Sequence, residues 1–158
     1  PLAYVFAGSG WAKISEAVQA DLRKIGVDLQ IQPFDATVAW GKLATQEFDV
    51  FGMSFPYISS GDALNLYFRS SNMPTPNRMN WDDAETDELL ATGLTATDDA
   101  TRAEAYGKVL QKVHEAAVWL PLYHEPMTIA QSTELKTVEP HNIYGSGLYK
   151  GLGIAFKE

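Results

Sequence analysis

The sequence of 158 residues contains no cysteine. Disulfides, thiolate nucleophiles and cysteine-ligated metals are thereby excluded; the absence is compatible with an oxidising compartment without demonstrating one. Basic residues are scarce: 12 Lys and Arg stand against 20 Asp and Glu, giving a formal charge of -8 and a pI near 4.8. No Lys/Arg cluster occurs, which argues against nucleic acid and against anionic membrane surfaces as partners. No apolar run reaches the roughly 18 residues of a membrane helix, so no direct membrane insertion is expected. An initiator Met and a signal peptide are also missing, and Pro1 leads straight into LAYVFA. The expectation is a fragment or processed product, so the missing signal carries no information on localisation. Internal repeats and low-complexity tracts are absent. Hydrophobic residues make up 46% and charged residues 20%, the composition of one globular domain with a proper core.

Leu2 to Ala7 reads as a buried strand. Gly8-Ser9-Gly10 follows, then a helix on which Ile14, Val18, Leu22 and Ile25 recur at helical spacing. Gly26 supplies the left-handed residue that ends it. Val27, Leu29 and Ile31 alternate with Asp28, Gln30 and Gln32 as a half-buried strand that Pro33 terminates. A second helix spans about Thr37 to Gln46. The alternation of strands and helices with short loops predicts a parallel α/β sheet with right-handed crossovers.

The central stretch is Phe48 to Trp81. Asp49 to Phe55 reads as a strand buried on both faces. It breaks at Phe55-Pro56-Tyr57 into an aromatic, hydroxyl-rich loop. A helix over about Asp62 to Arg69 and a second Pro-punctuated loop, Ser70 to Trp81, follow. Ligands of open α/β sheets bind at loops beyond the carboxyl ends of the strands, and aromatic walls with a few polar groups suit a small organic solute. The same loop also reads as a plain surface connection whose aromatics tuck into the core.

Beyond Trp81 the pattern is helical. Asp82 and Glu85 suggest a capping pair for a helix from Asp83 to about Leu94. Asp98 opens a longer one, to about Val118, with Tyr106, Val109, Leu110, Val113 and Ala117 on one face. The acidic pairs Asp82/Asp83 and Asp98/Asp99 sit at helix starts, where they serve caps and the helix dipole rather than a metal. Trp119 to His124 and Met127 to Gln131 read as strands, and the glycines at 145, 147, 151 and 153 mark a loop-rich tail.

Little of this is catalytic chemistry. Gly8-Ser9-Gly10 lacks the third glycine of a dinucleotide fingerprint and the Gly-Lys-Ser/Thr of a phosphate loop, so a tight turn and helix cap is favoured over an anion site. His114-Glu115 and His124-Glu125 resemble acid/base pairs but form no His-Glu-x-x-His. No cofactor is implied. A hydrolase-type enzyme using His114 or His124 stays open as a rival class, as does an interaction domain.

Several motifs together carry a resemblance. They are Ile25-Gly26-Val27 before an alternating strand, Phe48-Asp49-Val50 leading to Gly52, and Asn77 and Trp81 ahead of Asp83-x-Glu85-x-Asp87-x-Leu89-Leu90. Asp99-x-x-Arg102-x-x-x-Tyr106 running to Trp119-Leu120-Pro121-Leu122-Tyr123 completes the set. In order and spacing the chain resembles the C-terminal part of extracellular solute-binding proteins of the oligopeptide/dipeptide/nickel family (family 5), the capture subunits of ABC importers. The resemblance implies an α/β chain forming one lobe of a two-lobed, class II periplasmic-binding-protein-like fold, with a mixed sheet flanked by helices. Residues 1–131 would form the lobe, and 132–158 would return to the other lobe.

It also implies a non-enzymatic, periplasmic or membrane-tethered receptor that docks on ABC permease subunits. Peptide-binding members carry Gly-Trp-x-x-Asp after the central strand, the Asp pairing with the peptide's amino group. Here Gly52-Met53-Ser54-Phe55-Pro56 stands instead, so that role does not carry over. Met53, Ser54, Phe55 and Tyr57 are the expected ligand contacts, followed by Asn72, Asn77 and Arg78. With no carboxylate at Pro56, the hydroxyls and rings favour an oligosaccharide or other neutral polar solute over a peptide.

Overall fold

The computed structural model describes residues 1–7, 10–53, 59–123, 132–138 and 154–156. Strand β1 (Leu2–Phe6) is flanked by β2 (Gln30–Phe34) and β3 (Val50–Phe51), both parallel to it. Leu2 pairs with Gln30 and Phe6 with Phe34, while Ala3 pairs with Val50. Occupying the middle, β1 buries Ala3, Tyr4 and Val5 in succession, the signature of a strand covered on both faces. Helix α1 (Trp11–Arg23) joins β1 to β2, and α2 (Ala36–Thr45) joins β2 to β3. These crossovers leave β1 and pass over it in opposite directions, so right-handedness puts α1 and α2 on opposite faces.

Helix α1 ends as its glycine predicts. Gly26 has φ +82°, the Val27 N–H reaches back to Leu22 O and the Gly26 N–H to Arg23 O. These two bonds close a Schellman motif. Ile25, expected on the buried face, lies in this turn beyond the helix and is exposed. β2 runs through Pro33 rather than stopping at it. β3 is shorter than the sequence suggests: only Val50 and Phe51 pair, and Val50 is 50% exposed. Among the described residues it is an edge strand beside β1, and with Val50 exposed and Phe51 half-buried the expected burial of both faces is not reached.

The second half is helical. α3 (Ser60–Phe68) is capped by Ser59, whose Oγ accepts from the Asp62 N–H at 3.1 Å and donates to Asp62 Oδ2 at 2.7 Å. A 3₁₀ turn, Ser70–Asn72, follows. α4 (Ala84–Thr95) starts one residue later than expected: the cap is Asp83, accepting from the Thr86 N–H at 2.9 Å, not Asp82. α5 (Asp99–Glu115) begins at Asp98 as predicted but stops short of Val118. Ala117 adopts φ +51°, with its N–H on His114 O and the Val118 N–H on Val113 O. This is a second Schellman motif, without a glycine to announce it.

Leu64, Tyr67, Phe68, Leu90, Val109 and Val113 form the core of this half, with Trp81, Tyr106, Val118 and Trp119 packed around it. Each fully buried Leu or Val there is stabilising by about 1.5–3 kcal/mol relative to exposure. Leu110, expected on the buried face of α5, is exposed, and Ala105 takes a buried place on that helix. Trp119 turns inward, its ring 4.7 Å from Phe68 and 5.5 Å from Tyr67. The strand expected from Trp119 is accordingly absent over 119–123, and the Met127 to Gln131 strand falls outside the described residues. In the tail β4 (Leu135–Val138) and β5 (Ile154–Phe156) pair antiparallel, while the glycines at 145, 147, 151 and 153 fall outside the described residues.

Candidate functional site

The strand order β2-β1-β3 sets the parallel strands β1 and β3 side by side, so their carboxyl ends lie together at one edge of the sheet. Open α/β sheets bind ligands outside the carboxyl ends of such strands. At this end Trp11 opens α1 and lies against the backbone of Gly52, the first residue after β3. A Cβ on Gly52 would stand 2.5 Å from Trp11 Cε3, so the approach requires a glycine. Tyr123 adds a second aromatic, 6.4 Å from Trp11. Met53, half-buried, follows directly. Ser54, Phe55 and Tyr57 lie outside the described residues.

Asn72, Asn77 and Arg78 sit apart from Met53 in sequence and do different jobs. The Asn72 amide donates to Asn65 O at 3.0 Å and Leu66 O at 2.9 Å, in the last turn of α3. Asn77 is fully buried. Its Nδ2 donates to Arg69 O and Trp81 O, and its Oδ1 accepts from the Trp81 N–H. All of its polar capacity that these bonds use is spent on backbone.

Arg78 is only partly buried. Its Cζ lies 5.2 Å from the centre of the Trp40 ring, and Trp40 is 49% exposed on α2. The Phe6 ring meets Trp40 edge-on, with centroids 5.3 Å apart. Gln46, left-handed at the end of α2, donates to Pro74 O, Arg78 O and Asn80 Oδ1, at 3.3, 3.2 and 3.1 Å. One side chain thus ties α2 to the loop that carries Arg78. Burial holds the Arg78 guanidinium below its ordinary pKa, partly offset by Tyr67, whose phenol is itself raised by burial.

Sequence reasoning missed Trp11, Trp40, Gln46 and Tyr123. Trp11 had a signal, since it directly follows a strand-to-helix glycine turn. Trp40 and Gln46 had none, because their partners are 28 to 38 residues away in the chain. Of the histidines, His114 is exposed in the last turn of α5, and His124 lies outside the described residues. Among the described residues no His/Asp/Glu group could hold a metal, and no helix is long and apolar enough to cross a membrane.

No protein-family model matches the chain. Individual relatives do. A di/tripeptide-binding protein 2 of Pseudomonas aeruginosa is 28% identical over 141 residues, covering 81% of this chain and 25% of that protein. The nickel-binding periplasmic protein of Escherichia coli is 26% identical over 136 residues, covering 79% and 24%. Among solved structures, the oligopeptide-binding protein AppA of Bacillus subtilis, in complex with a nonapeptide, superposes with TM-score 0.72 at 18% identity. That match covers 99% of this chain and 31% of AppA.

The chain therefore has the fold of part of a class II periplasmic binding protein. Its relatives are solute-binding proteins of the oligopeptide/dipeptide/nickel family, and the resemblance to that family holds over a segment spanning about a quarter of their length.

Proposed function

We propose that the chain is part of the solute-capture component of an ABC importer, acting in the periplasm, and that its solute is a peptide. The observation that carries this reading is the 141-residue sequence relation to a di/tripeptide-binding protein. The apolar cluster beside the carboxyl end of β3 supports it, because Trp11, Met53 and Tyr123 supply the wall such a solute needs. Ser54, Phe55 and Tyr57 continue that wall in our reading, with Arg78 as a polar contact. Asn72 and Asn77 serve the loop's architecture. Residues 1–131 belong to one lobe and 132–158 return to the other.

The relatives named above favour a peptide over the oligosaccharide that the hydroxyl-rich loop suggested, and give the oligosaccharide no support. Pro56 occupies the position of the usual carboxylate, so the partner of a peptide ammonium must come from elsewhere in the full-length protein. An unpaired buried ammonium would cost several kcal/mol. Calorimetry on the full-length protein with di- to pentapeptides, their N-acetylated forms and a panel of oligosaccharides tests the proposal. Tight binding of free peptides, weakened by N-acetylation, is expected. Oligosaccharide binding with indifference to peptides would overturn the solute class.

A further inference from the structure

We infer that the groove between α3 and α5 is a docking site for the permease, and that it receives a permease loop carrying an apolar side chain next to a carboxylate. This rests on the importer reading above and names the surface that the importer's membrane partner would use.

The groove has a volume of about 700 Å³ and opens to solvent. α3 and α5 line its sides, and Gly93 and Leu94 at the end of α4 close it. The Tyr106 ring is its fixed part. It fills the space that Gly61 and Gly93 leave by carrying no side chain, and its hydroxyl accepts from Asn65 Nδ2 at 3.2 Å. Leu66 and Leu94 also line the groove, 39% and 64% exposed.

Charge sets this surface apart. The chain has a formal charge of -8, yet the groove is lined by two guanidinium groups and one carboxylate. That carboxylate, Asp62, is engaged by the Ser59 hydroxyl at the α3 cap. Arg102 is taken up by Asp99 and by Ala96 O. Arg69 differs: among the described residues its guanidinium donates to Asn65 Oδ1 at 2.7 Å and pairs with no acid.

A half-buried guanidinium held by one hydrogen bond keeps donors for a carboxylate, and the leucines beside it offer the apolar contact that an interface core needs. An acidic loop is repelled by most of a chain of this charge, so the groove also decides where such a loop lands. Ser59 and Asp62 begin the helix that follows the candidate solute loop. A permease loop seated here therefore grips the element into which that loop feeds.

The test uses the full-length protein and the permease encoded beside its gene, reconstituted in lipid nanodiscs with its ATPase subunits and supplied with a free tripeptide. Arg69→Glu sets like charges together. It should raise the receptor concentration that half-maximally stimulates ATP hydrolysis about tenfold or more, and leave the tripeptide Kd in calorimetry within about threefold. Leu94→Ser, at an exposed position, should raise the same concentration about three- to tenfold. Lys24→Glu, just past α1, controls for charge alone and should change neither quantity more than about twofold. The sequence contains no cysteine, so Leu94→Cys gives a defined point for a benzophenone label, which light should join to a permease subunit. Adducts confined to the receptor itself, or variants that stimulate at the wild-type concentration, would overturn the docking site while leaving peptide capture intact. A wild type that binds the tripeptide without stimulating the permease would remove the importer reading and the docking site together.

Discussion

Asn77 grips Trp81 at both ends of one peptide unit's length. Its Oδ1 accepts from the Trp81 N–H at 3.1 Å, and its Nδ2 donates to Trp81 O at 2.8 Å. The same Nδ2 reaches Arg69 O at 3.1 Å, so a single buried amide joins the end of α3 to the approach to α4. Asn77→Ala would leave three partly buried backbone groups, Arg69 O and the Trp81 N–H and O, short of partners. We expect a loss of about 2–4 kcal/mol in urea unfolding, with the loss concentrated in unfolding midpoint rather than slope.

Trp81 is the other half of this joint. Its ring meets Phe68 edge-on at 6.4 Å, and its Nε1 donates to Thr86 Oγ1 at 3.1 Å inside the first turn of α4. Trp81→Ala should cost about 3 kcal/mol or more. Trp81→Phe keeps most of the packing and should cost distinctly less. An unchanged thermal melt in the alanine variant would contradict the packing described above.

Glycine substitutions should split by sign. A Cβ on Gly93 in α4 would collide with the Tyr106 ring, and one on Gly61 would stand 2.7 Å from Tyr106 Cε2. Gly93→Ala should therefore destabilise by about 1–3 kcal/mol despite alanine's better helix propensity. Gly107 in α5 has nothing within 4 Å, so Gly107→Ala should stabilise by about 0.5–1 kcal/mol. Paired melts of the two variants check the contrast.

Ala117 holds a left-handed conformation that costs an alanine about 1 kcal/mol. Ala117→Gly relieves that strain while keeping both hydrogen bonds of the α5 terminus. A gain of up to about 1 kcal/mol is expected, somewhat reduced by the greater freedom of glycine in the unfolded chain.

Acid should act through helix caps. The Thr86 hydroxyl, followed by Lys112, holds the Asp83 carboxyl below its ordinary pKa of 3.8. Asp98 is lowered chiefly by the Thr101 N–H, and Glu104 by Lys108. A depressed folded pKa means stability that is fully present above the unfolded value and lost as pH falls through the folded one. Stability should thus decline below about pH 4. Asp83→Asn should flatten that decline, which urea titrations between pH 6 and pH 2.5 would show. A decline of the same steepness in the variant would remove Asp83 from the account.

Much of the framework follows from local sequence. Alternating apolar spacing, Gly26 and Asp98 mark the elements and two of their ends, because a left-handed stop and a cap are local chemistry. The parallel α/β order and the family resemblance were legible for the same reason. Tertiary structure decided the rest. α5 ends at an alanine because Val118 and Trp119 pack onto Tyr67 and Phe68, and no local residue announces that turn. β3 pairs with β1 only at Val50 and Phe51, because strand length depends on the partner's register and not on its own apolar run. At the candidate site, composition pointed to the loop after β3. The stacking of Arg78 on Trp40 and the reach of Gln46 to the loop around it came only from the fold, since side chains more than thirty positions apart meet only once the packing of α2 against the sheet has brought them together.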